Sequence, residues 1–165
     1  MSVKKNSMNQ KINMKYNADF SVSKSDDWST PLELYNYFID HGYIDPCPLN
    51  STIDGLEIQY FNKYLFVNPP FSKLSIWVDW CIQQYLNGCS VIILMPSRTD
   101  TKYFHKLLSY SPSLYFFEGR LKFGGSNKCA PFPTLLVKLE DSFIKIHCYK
   151  YGSLEKYIHK DEKKS

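Results

Sequence analysis

The chain has 165 residues, which is one ordinary domain and too little for two of usual size. Hydrophobic residues make up 44 %, so a core can form, yet the longest aliphatic run, 91–95, is far short of a membrane span. The net charge of +4 resides in residues 1–25, where five Lys face one Asp, while 26–153 carries about −1. A basic patch on the folded body is therefore not implied by charge. Five cysteines form no C-x-x-C pair and their number is odd, which argues against a disulfide framework. With no apolar stretch after the early lysines, the reading is a cytoplasmic protein without a signal peptide.

Residues 1–25 are rich in Asn, Ser and Lys without periodicity and read as a disordered basic tail. The folded body is expected over 26–153, and 154–165 reads as a charged tail. Thr30-Pro31-Leu32-Glu33 reads as a helix start, with Thr30 as N-cap, Pro31 in the first turn and Glu33 closing a capping box. That helix runs to about Asp40, and Gly42 ends it. Residues 43–45 form a short strand stopped by Pro46, and 64–67 a buried strand stopped by Asn68-Pro69-Pro70. Ser72 is placed to cap a helix whose apolar positions are Leu74, Trp77, Val78, Cys81, Ile82 and Tyr85, with Gly88 as its stop. A strand over 90–95, a helix over 101–109 and strands over 114–117, 133–139 and 143–150 follow, the only long connection being 118–132. Alternating strands and helices predict an α/β fold: a mainly parallel sheet with an antiparallel edge and helices on both faces.

The segment richest in chemistry is Phe66-Val67-Asn68-Pro69-Pro70-Phe71. Asn68 leaves the carboxyl end of a buried strand, where open α/β sheets place their ligands. Two prolines stiffen the turn and remove two N–H donors, so the polar groups near it are mostly acceptors. That set suits a planar aromatic amine. Asn68 Oδ1 and the Pro69 carbonyl can take its two hydrogens, and Phe71 can stack on its ring.

Asn68-Pro69-Pro70-Phe71 matches the [ND]-P-P-[YFW] motif of S-adenosylmethionine-dependent amino methyltransferases. More closely, the chain resembles the compact, phage-type Dam family of DNA N6-adenine methyltransferases. Asp26-Asp27-Trp28-Ser29-Thr30-Pro31, Ile44-Asp45-Pro46-Cys47-Pro48 and Asp54-Gly55-Leu56 resemble that family's opening, first-strand and D-x-L segments. Leu94 through Thr101 and Gly119-Arg120-Leu121-Lys122-Phe123 resemble its L-x-P-x-R-T-D-T and G-R-L-x-F blocks. These blocks lie in order across about 26–139.

The resemblance implies a Rossmann-like S-adenosylmethionine-dependent methyltransferase fold, acting on adenine in double-stranded DNA. It makes Asn68, Pro69, Pro70 and Phe71 the catalytic set. Trp28, Thr30, Pro31, Asp45, Pro46, Cys47 and Asp54 would meet the cofactor. Arg98 and Arg120 stand beyond strand ends and, with Lys122 and Phe123 of the long loop, are the DNA-contact candidates. Prolines stand after Asp45 where glycine-loop methyltransferases carry F-x-G-x-G, and Phe71 stands where Tyr is commoner. No metal is expected, because the His and Cys residues lack ligand spacing. The same motif chemistry also serves adenine in RNA or a glutamine amide, and a non-catalytic cofactor- or DNA-binding module is a further reading. With the body filling 26–139, little chain remains for target recognition, so a short target or a second subunit is expected.

Overall fold

The computed structural model describes residues 28–123, 129–140 and 145–150; the expected tails at 1–25 and 154–165 lie outside them. Helix α1 (Leu32–Asp40) is followed by strand β1 (Tyr64–Val67), helix α2 (Leu74–Leu86), strand β2 (Ser90–Pro96) and helix α3 (Lys102–Leu108). Strands β3 (Ser113–Glu118), β4 (Thr134–Leu139) and β5 (Lys145–Lys150) complete a five-stranded sheet of order β1-β2-β4-β3-β5. No helix among the described residues is long and apolar enough to cross a membrane.

The fold is α/β, but the sheet is mixed and not mainly parallel. The β1–β2 and β3–β5 pairs are parallel, whereas β4 runs antiparallel to both β2 and β3. The reversed strand is therefore in the interior, not at the edge as expected, and the edge strand β5 is parallel to its neighbour. Connection length explains this. A parallel return needs a crossover, usually helical, and among the described residues no helix separates β3 from β4. The chain turns back beside β3, so β4 fills the place between β3 and β2.

Side chains alternate across the sheet as strand geometry requires. Leu65, Val67, Val91, Ile93, Met95, Leu135 and Val137 face one layer, where α2 contributes Leu74, Trp77, Val78 and Cys81 and α3 contributes Phe104 and Leu107. Phe66, Ile92, Leu94, Tyr115 and Leu136 face the other, covered by Leu34, Tyr37 and Phe38 of α1. Phe38 stacks on Phe66 at 4.2 Å, anchoring α1 to β1. Helices thus lie on both faces.

Three local expectations change. Residues 43–45 make only a single parallel bridge, Ile44 with Leu65, not a full strand. Pro31, not Thr30, occupies the N-cap position of α1, and no side chain caps it, so there is no capping box. Pro31 keeps an extended ψ of 131°, which delays the helix by one residue and leaves the Thr30 hydroxyl for another partner. Ser72 falls within a 3-10 turn, Phe71–Lys73, headed by Pro70; α2 begins only at Leu74, with Lys73 as its N-cap residue. Gly42 and Gly88 end α1 and α2 at φ +79° and +84°, as left-handed stops.

Candidate active site

Strands β1, β2 and β3 share a direction, so Asn68, Ser97 and Gly119 leave the sheet at one edge, the same edge at which β4 begins. The Ile44 bridge to Leu65 is parallel too, with Ile44 N–H donating to Tyr64 O (2.9 Å) and Phe66 N–H to Ile44 O (3.0 Å). Asp45 and Asn68 consequently exit from neighbouring backbone segments onto the same rim, the position at which α/β sheets hold ligands.

Between them opens a cleft of about 540 Å³, within the range of small-molecule sites. Its walls include Trp28, Thr30, Asp45, Cys47, Asp54, Asn68, Pro69 and Pro70 from the predicted set. Pro31, Pro46 and Phe71 are not among its lining. Pro31 is buried and accepts the first helical bond from Tyr35 N–H (2.9 Å). Pro46 is buried behind the wall, its carbonyl oxygen against Gly55.

Asn68 has one end of its amide tied and the other end loose. Its Nδ2 donates to Trp28 O at 2.7 Å and to Thr30 Oγ1 at 3.0 Å. Trp28 O can only accept, so the NH2 end must face it and Oδ1 must point away. Oδ1 is buried and has no hydrogen-bond partner. An orphaned buried acceptor costs free energy unless a ligand supplies a donor.

Cys47 links the two exits. Its N–H donates to Asp45 Oδ1 at 2.9 Å, and its thiol donates to Asn68 O at 3.4 Å. Burial, and next the nearby Asp45 carboxylate, hold the Cys47 thiol well above its ordinary value, so it stays protonated and serves as a donor. Burial also raises Asp45, partly offset by the Cys47 N–H. Asp54 is exposed and accepts from Leu56 N–H at 3.0 Å, capping a 3-10 turn over Gly55–Glu57.

Phe71 lies beside the cleft in a four-ring cluster. It is nearly parallel to Trp28 (6.4 Å, 19°) and meets Phe132 and Phe123 edge-on at 5.4 and 6.2 Å. Phe123 is buried in this cluster, so the ring offered as a DNA contact is here a packing partner of Trp28. Arg98, Arg120 and Lys122 are exposed on the same edge. Arg98 pairs with Asp100 (3.4 Å), and Arg120 donates to Ala130 O (3.2 Å) across the base of the loop. Among the described residues no group of three His, Cys, Asp or Glu could hold a metal ion.

Trp77, Gly55 and Phe132 were not anticipated at the site. Trp77 sits at a core position of α2 and yet reaches the cleft wall. Gly55 belongs to the noticed Asp54-Gly55-Leu56 run, but only the approach of Pro46 reveals its purpose. Phe132 is the last residue of the long 118–132 connection and carries no local signal.

No match to the chain was found among curated proteins or among solved structures. A model of the DNA N-6-adenine-methyltransferase (Dam) family, however, matches residues 17–134, a span that takes in α1 to β3, the cleft, the Asn68 turn and the ring cluster. Because that match covers well over half of the 165 residues, the chain belongs to the DNA N-6-adenine-methyltransferase (Dam) family.

Proposed function

We propose that the protein transfers the methyl group of S-adenosylmethionine to the exocyclic N6 amine of an adenine flipped out of double-stranded DNA. The observation that carries this reading is the buried, partnerless Asn68 Oδ1 beside a cleft at the carboxyl edge of the sheet. An adenine amine is planar, with its lone pair delocalised into the ring. Asn68 Oδ1, with the Pro69 carbonyl as second acceptor, would take its two hydrogens and localise that lone pair for attack. The base must leave the stack to be reached, and Phe71 would offer a ring face beside the turn. The Pro69-Pro70 backbone keeps the acceptors fixed, so positioning supplies much of the rate.

The cleft residues fit the cofactor. Asp45 and Asp54 bring acidic side chains to a cleft whose walls include the apolar Trp28, Trp77, Leu49 and Ile53, a combination suited to a cationic nucleoside. Burial raises the Asp45 pKa, and a positive group beside it would favour its ionised form. When bound, S-adenosylmethionine supplies a methyl group made electrophilic by its sulfonium. Trp28, Asp45, Cys47 and Asp54 would hold it, with Pro31 and Pro46 supporting from behind. Arg98, Arg120 and Lys122 would meet the DNA backbone near the target. Helices on both faces and a ligand edge at the strand ends favour a Rossmann-like methyltransferase fold.

The test is incubation with S-adenosylmethionine and mixed-sequence DNA, followed by sequencing that detects methyladenine; RNA and protein run in parallel examine the other acceptors. Asn68→Ala should lower transfer by at least about 100-fold while cofactor affinity, read by calorimetry, stays near wild type. Wild-type transfer by Asn68→Ala overturns the mechanism.

A further inference from the structure

Thr30 faces the cleft and invites assignment as a cofactor contact, but its oxygen is already engaged. Asn68 Nδ2 has two hydrogens and two acceptors, Trp28 O at 2.7 Å and Thr30 Oγ1 at 3.0 Å, which together use its whole donor capacity. Neither α1 nor its first turn uses the Thr30 hydroxyl, since the N-cap residue is Pro31 and no side chain caps the helix. The ring of Trp28 lies nearly parallel to Phe71. Two residues of an irregular segment, Trp28 and Thr30, thus touch two members of the Asn68-to-Phe71 turn, across 40 and 38 positions of sequence for the amide contacts.

We infer that Thr30 is a positioning residue: its hydroxyl, with the Trp28 carbonyl, locks the Asn68 amide so that Oδ1 faces the acceptor amine. This deepens the methyl-transfer reading and rests on it. With one acceptor alone, the amide can swing about χ2, a broad and soft torsion. Held by two, it presents Oδ1 in one direction before substrate arrives, and nothing has to be ordered during the reaction. Thr30 needs no contact with cofactor or base to do this. The isosteric Thr30→Val removes the acceptor and keeps the shape; Thr30→Ser keeps the acceptor and removes only a methyl group.

Two measurements on the full chain decide the point. In the first, steady-state methylation of DNA is compared for wild type, Thr30→Val, Thr30→Ser and Asn68→Ala, with cofactor affinity measured by calorimetry. Thr30→Val should lose about three- to tenfold in kcat, the worth of one neutral hydrogen bond, with cofactor affinity and KM unchanged. Thr30→Ser should restore the wild-type rate. Weaker cofactor binding with unchanged kcat overturns the inference in favour of a cofactor contact. In the second, the Asn68 side-chain NH2 signals, identified by their loss in Asn68→Ala, are followed by 1H–15N NMR without substrate. One of the pair should move upfield and exchange faster in Thr30→Val but not in Thr30→Ser. An unmoved pair overturns the clamp whether or not the protein methylates DNA. If wild type methylates nothing while the NH2 signals respond, the methyl-transfer reading fails and the clamp stands.

Discussion

Gly55 provides the most sharply defined perturbation in the molecule. A Cβ at this position would lie 1.9 Å from the Pro46 carbonyl oxygen, 2.9 Å from its carbon and 3.0 Å from Trp77 Cη2. An ordinary carbon–oxygen contact is about 3.3 Å, so Gly55→Ala forces a separation of about 1.4 Å. The obstructing atoms of Pro46 are backbone, and that backbone continues into Cys47 and its bond to Asn68. Overpacking of this kind costs about 3 kcal/mol when side-chain rotation cannot relieve it. For a chain of this size that lowers Tm by about 6–12 °C. The displaced loop also carries Asp54, so cofactor affinity should fall. Gly42→Ala is the control: nothing lies within 4 Å of its Cβ, but φ is +79°. It should cost about 1 kcal/mol of left-handed strain, a fall of about 2–4 °C, with cofactor affinity untouched. Calorimetric melting and cofactor titration of both variants measure this. If Gly55→Ala melts no lower than Gly42→Ala and binds cofactor as wild type does, the close approach does not hold the cleft floor.

Asp45 should make cofactor binding pH-dependent. Burial raises its pKa above the ordinary 3.8, so its contribution to the unliganded fold is fully present below that value and is lost as pH rises through the folded value. A cationic ligand prefers the ionised carboxylate, so affinity should weaken as pH falls through the raised pKa; Asp45→Asn should bind weakly without that dependence, as titration across the acid range would reveal. On β4, the buried Lys138 Nζ lies 3.5 Å from Glu140 Oε2, while Ser113 Oγ donates to the other carboxylate oxygen. Glu140→Gln removes the countercharge and should cost about 3 kcal/mol in urea unfolding, and adding Lys138→Met should recover most of it. A single variant within experimental scatter of wild type would refute the pairing argument.

What could be read from the chain followed the range of the physics involved. The Asn68-Pro69-Pro70-Phe71 turn was legible because strand, stop and acceptors are contiguous, and the helices because their apolar spacing and their Gly stops are local. Thr30 was misread for the same reason. Local rules assign a Thr before Pro-x-Glu to capping, whereas its partner is 38 positions away. The burial of Phe123 was hidden by its loop setting, since only the tertiary meeting with Trp28 and Phe71 encloses it. Strand existence could be read from composition, but strand order could not, because nothing in residues 134–139 announces which two neighbours they will separate.

That strand order governs how the molecule assembles. β4 is the fourth strand made but the middle one in the sheet, so β2 and β3 cannot be joined until residue 139 has been synthesised. Until then β2 carries an open hydrogen-bonding edge bearing Val91, Ile93 and Met95, a template for other chains. The ligand edge is affected as well, because β4 ties β2, the neighbour of the strand that leads into Asn68, to β3, which leads into Arg120. Chains halted before β4 should therefore aggregate and not simply lose activity, because β4 is the strand that joins β2 to β3 in one sheet.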